Sequence, residues 1–125
     1  MWIALNDAFF SIVALPTDKE TLVVRARMEE DIERVFGIPL EDQTVDAGTD
    51  YKYRVYLPRL RVAKVIQNKV ESINYYNFKD SVPRRYEVDR KRAKMYGKMW
   101  NTLYNWQTDR YDYSDWWTNY RDYKY

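Results

Sequence analysis

Residues 2–27, WIALNDAFFSIVALPTDKETLVVRAR, decide the fold. Residues 2–5 and 9–15 are short apolar runs separated by Asn6, Asp7 and Ala8. That spacing predicts a hairpin of two largely buried strands, although no Gly follows the Asx pair. Pro16, Thr17 and Asp18 mark the next turn. Beyond it, Leu22, Val24 and Ala26 alternate with Val23, Arg25 and Arg27, the pattern of a half-buried strand.

Working outward, a first helix is expected over residues 29–36 with Ile32, Val35 and Phe36 inward, stopped by Gly37 and Pro39. Residues 41–50 (EDQTVDAGTD) read as a polar loop, and residues 51–57 as a fourth strand with Tyr51, Tyr53, Val55 and Leu57 on one face. Pro58 opens a second helix whose Leu60, Ala63, Ile66, Val70 and Ile73 form a stripe expected to lie on the sheet. A connector over residues 74–83, anchored by Tyr75, Tyr76 and Phe78, leads to a long third helix over residues 84–107. The order predicts an α+β domain of residues 1–107, an antiparallel four-stranded sheet with helices packed on one face. Residues 108–125 (TDRYDYSDWWTNYRDYKY) form an extension with seven aromatic and no aliphatic side chains.

The chain of 125 residues is long enough for one core and too short for two of ordinary size. It contains no His and no Cys, which excludes disulfides, thiolate nucleophiles, Ser-His and Cys-His pairs, His-ligated haem and zinc sites built on N or S ligands. Its 21 Lys and Arg against 19 Asp and Glu nearly cancel, so an electrostatic partner must be attracted by local clusters. The apolar first fifteen residues lack a basic leader and carry Asn6 and Asp7 in mid-run, so neither a signal peptide nor a membrane span is expected. The expected compartment is the cytoplasm, without a membrane partner.

The opening Met1-Trp2 with residues 9–13 (FFSIV), residues 24–27 (VRAR) before an acidic helix start, residues 53–55 (YRV), 77–80 (NFKD) and 96–100 (YGKMW) together resemble a family of small uncharacterised bacterial proteins. The resemblance spans residues 1 to about 107. It implies a fold-sized module and, because no activity is assigned to that family, transfers no catalytic residue.

Four constellations are weighed for a functional reading. Arg84, Arg90, Lys91, Lys94 and Lys98 fall within roughly 120° of the third helix, beside an apolar arc of Tyr86, Ala93, Tyr96, Trp100 and Tyr104 with Trp100 at its centre. Such a basic face suits a phosphate backbone, and equally the solvated side of an amphipathic helix. On the strands, Arg25, Arg27, Lys52 and Arg54 with Tyr56 share the side away from the predicted core, an arrangement like that of single-strand nucleic-acid binders. The plainer compensation for their charge is the acidic helix start, Glu29, Glu30, Asp31 and Glu33. Val88, Met95, Met99 and Trp106 form a second apolar stripe on the third helix, more than one sheet can cover. That stripe is expected to meet helix two, the tail, or a partner, and Trp116, Trp117 and Tyr120 are the tail's candidate anchors. Glu41, Asp42, Asp46 and Asp50 offer oxygen ligands, but no EF-hand, phosphate-loop or dinucleotide spacing accompanies them, so no catalytic residue, metal or cofactor is assigned.

Trp, Tyr and Met are the residues enriched in interface cores, and five Trp, thirteen Tyr and four Phe exceed what a core of this size needs. The expectation is therefore a non-catalytic protein-interaction module, in the class that includes adaptors and the small inhibitors mobile elements encode. Its contact residues are Met95, Met99, Trp106, Trp116, Trp117 and Tyr120, through a protein partner or self-association. The alternative is a nucleic-acid-binding protein using Arg25, Arg27, Arg54, Arg84, Arg90, Lys91, Lys94 and Lys98.

Overall fold

A computed structural model describes residues 1–108. The chain forms two compact units, Met1–Ser81 and the segment from Val82 onward.

The first unit holds the sheet. Strands β1 (Trp2–Ala4), β2 (Phe9–Leu15), β3 (Asp18–Ala26), β4 (Thr44–Val45) and β5 (Tyr53–Pro58) are arranged β1-β2-β3-β5-β4, every pair antiparallel. The sheet has five strands rather than the four read from the sequence. The fifth is the two-residue β4 inside the polar loop, too short to leave an alternation, with Thr44 opposite Arg54 and Val45 opposite Tyr53. Strand β3 also begins three residues before the alternating segment. Leu15 pairs with Asp18 across Pro16 and Thr17, and Asp18 accepts bonds from the Glu20 amide (2.9 Å) and the Thr21 hydroxyl (2.5 Å). These bonds hold the Asp18 carboxyl below its ordinary range, the Thr21 hydroxyl contributing most. The first hairpin forms as expected, but β1 is an edge strand and not a buried one. Trp2 is exposed, resting edge-on against Phe9 at 5.9 Å.

Phe10, Ile12, Val24, Ala26, Tyr53, Val55 and Leu57 point to one side of the sheet and form the core with Ile32 and Phe36 of α1 (Glu29–Phe36) and Val62 of α2 (Arg59–Glu71). Both helices therefore cover the same face. Helix α1 ends at Gly37, whose φ of 69° is left-handed and open to glycine at no steric cost, its amide closing on the Glu33 carbonyl at 2.8 Å.

Helix α2 lies on the sheet through a stripe that shares only Ile66 with the one expected. Val62 is buried with Val65 and Ile66 packed beside it, whereas Leu60 (80% exposed), Ala63, Val70 and Ile73 face outward. Arg59 donates to the Lys19 carbonyl (3.0 Å) and Arg61 to the Phe36 carbonyl (3.1 Å), which sets the rotation of the helix from its basic first turn. In the connector, α3 (Phe78–Ser81) follows Tyr75, which meets Phe78 edge-on at 6.3 Å. Tyr76, expected as an anchor, is fully exposed.

In the second unit, α4 spans Glu87–Gln107. It starts where Asp89 reaches back to accept the Tyr86 amide at 3.2 Å. Arg84 therefore precedes the helix and is not part of its basic face.

Candidate functional site

Helix α4 settles how its apolar residues are used. The two stripes read from the sequence are the flanks of one broad arc, Met95, Met99 and Trp106 on one side, Trp100 and Tyr104 on the other, with Arg92, Tyr96 and Leu103 between them. The arc changes character along the helix. In its first half Asp89, Arg92 and Tyr96 are buried, Tyr96 to 3%. In its second half Trp100 (47%), Leu103 (58%), Tyr104 and Trp106 (59%) are exposed, and Met95 in the first half is exposed as well. Trp100 is thus not the buried centre of the helix, because the buried positions follow 89, 92 and 96, one turn earlier. Instead its ring stacks on Tyr104 with centroids 5.2 Å apart and planes 9° from parallel. The result is an uncharged aromatic end, residues 99–107 holding Met, Trp, Leu and Tyr with one Lys just before them.

The opposite arc is basic and solvated. Arg90, Lys91, Lys94 and Lys98 are exposed. Lys91 bridges to Glu87 at 2.7 Å, and that hydrogen bond, with the attached positive charge, holds the Glu87 carboxyl below its ordinary range. Arg90 donates to the Arg84 and Arg85 carbonyls at 3.5 and 3.3 Å. Lys94 and Lys98 meet no carboxylate among the described residues. Trp116, Trp117 and Tyr120 lie outside the described residues.

The strand arginines do come together, and the chain itself uses them. Arg25 stands opposite Arg54 in register. Arg25 donates to the Ser11 hydroxyl at 2.7 Å, and Arg25 and Arg27 lie over the Tyr51 ring at 4.6 and 4.2 Å. Arg27 also reaches the Asp50 carbonyl (2.7 Å) and carboxylate (3.4 Å), while Arg54 donates to the Thr49 hydroxyl. Three cations therefore clamp residues 49–51, with Tyr51 buried as the pin. Tyr51 leaves the strand alternation that the sequence suggested, since β5 begins only at Tyr53. The Nε atoms of Arg25 and Arg54 are enclosed, so these guanidinia sit within the surface. Tyr56, on the same face, is about half exposed.

The acidic start of α1 serves another purpose. Asp31 is buried and accepts the Phe9 amide at 3.0 Å, tying the helix to the start of β2, and Glu30 pairs with Arg34 at 2.8 Å. Nothing in the charge pattern separates Asp31 from its acidic neighbours. Its place beside Ile32 on the inward side of the helix was the available signal.

Two further observations concern acidic clusters and clefts among the described residues. Among the described residues no three acidic side chains converge on a metal-sized space, and Asp42, Asp46 and Asp50 stay apart. A cleft of about 90 Å³ between the first hairpin and the end of α2 is lined by Leu5, Asn6, Lys69, Ser72, Asn74 and Tyr75. No helix among the described residues is long and apolar enough to cross a membrane. Comparison with protein-family models, with curated proteins and with solved structures finds no match.

Proposed function

We propose that this chain is a non-catalytic protein-interaction module that docks through the aromatic end of α4. One observation carries the reading: Met95, Trp100, Leu103, Tyr104 and Trp106 are all exposed within three turns of one helix. Apolar surface of this density, rich in Trp and Tyr, is characteristic of contact surfaces and rare on the free surface of a monomer. Leu103→Asp and Trp106→Asp place a charge in the middle of that surface without touching the core. The expected outcome is that the wild-type chain, immobilised, retains one defined host protein in fixed stoichiometry and both variants lose it, with circular dichroism unchanged. Retention that neither variant alters overturns the site.

Nucleic-acid binding is the second reading, supported by Lys94 and Lys98 facing no carboxylate among the described residues. Copurifying material absorbing at 260 nm, lost on Lys94→Glu with Lys98→Glu, would favour it over the first.

A further inference from the structure

Resting on the docking reading, we infer that the partner of α4 is an acidic amphipathic protein segment, apolar on one side and flanked by Asp or Glu. The charge distribution carries this. From Arg90 to Gln107 the helix contains no Asp or Glu, although the chain has 19 acids in all. Its one acid on the basic arc, Glu87, is taken by Lys91 at 2.7 Å. Lys91 and Lys98 stand beside the apolar arc along its Met95 edge, with Lys94 on the far side of the helix, so a segment laid on Met95, Met99, Leu103 and Trp106 has two ammonium groups along one side. A partner that is apolar in the middle and acidic at that edge satisfies both surfaces at once, and the like-charged alternative is repelled.

The other occupants fit less well. A second copy of α4 brings a further row of Lys and, from Arg90 to Gln107, no carboxylate to meet it. A phosphate backbone answers the Lys row and a base can stack on Trp106, but Met95, Met99 and Leu103 are left against water. The contact length is about 18 Å for residues 95–106, three turns of a facing helix that would present apolar residues at i, i+4 and i+7.

The test uses the full chain and two synthetic amphipathic peptides with Leu on one face, one bearing Glu at the flanking positions and the other Lys. The Glu peptide is expected to bind at least about tenfold more tightly, and more weakly as salt is raised. Lys91→Glu with Lys98→Glu should abolish that preference, and Leu103→Asp should abolish binding of both peptides. Equal binding of the two peptides that Leu103→Asp removes overturns the acidic partner and leaves the docking surface standing. Should neither peptide bind while the chain elutes as a dimer that Leu103→Asp dissociates, the occupant is a second copy. A short DNA duplex that binds in place of both peptides, and is lost with the two Lys substitutions, overturns the acidic partner and the docking reading together.

Discussion

Asp31 shows how one side chain can serve a purpose that composition hides. In the row of acids opening α1 it alone turns inward, where its carboxylate accepts the Phe9 amide at 3.0 Å and fixes the helix against β2. Removing it strands a part-buried amide as well as deleting a charged hydrogen bond. Asp31→Ala is therefore expected to cost about 1–3 kcal/mol. Glu29→Ala, at an exposed position, should stay within about 0.5 kcal/mol of wild type. Urea unfolding at neutral pH checks both, and equal midpoints for the two variants would show that the amide finds another acceptor. The arginines make the same point with opposite sign. Arg25, Arg27 and Arg54 are written into the sequence as a cationic patch, yet each spends its guanidinium on residues 49–51, and Tyr51 is the reason. Spacing along a strand reveals that the three share a face. It does not reveal that a ring from the loop before β5 will fill the space between them.

At the scale of elements, α1 is the best-read part of the chain, since its bounds, inward residues and glycine stop all depend on neighbours within four positions. Helices α2 and α4 were legible as helices but not in rotation. In α2 most of the expected stripe faces outward, and its Ile66 meets the sheet together with Val62 and Val65. In α4 the buried row contains Asp89 and Arg92, which hydrophobic periodicity discards, and Tyr96 is its apolar member. The mutational order follows burial. Tyr96→Ala is expected to cost about 3–5 kcal/mol, as for a large buried aromatic, and Trp100→Ala clearly less, since nearly half its surface is already in water. Thermal melts of the two variants check this, and a Trp100→Ala melting point at or below that of Tyr96→Ala would contradict the assignment of the helix face.

For the molecule as a whole, the net charge of +2 conceals a local asymmetry, an acid-free run from Arg90 to Gln107 in a chain that is elsewhere close to balanced. Stability is uneven in a similar way. Strands β2, β3 and β5 are central and carry the core, whereas β1 and β4 are edges of three and two residues. Hydrogen exchange should therefore be slowest at Ile12, Val24 and Val55 and fastest within the sheet at Thr44 and Val45. Uniform protection across the five strands would count against this. The sequence by itself determined the hairpins of the N-terminal segment, the half-buried β3, the length of α1 and the presence of a long C-terminal helix. Each of these rests on alternation, helical period or turn chemistry, which act between residues a few positions apart. Only the tertiary structure decided that Thr44 and Val45 add a strand, that Tyr51 turns to the arginines, which way α2 faces, and that Trp100 is exposed while Tyr96 is buried. Those outcomes depend on side chains brought together from distant parts of the chain, and packing and desolvation at such contacts outweigh the local preference for the most apolar stripe.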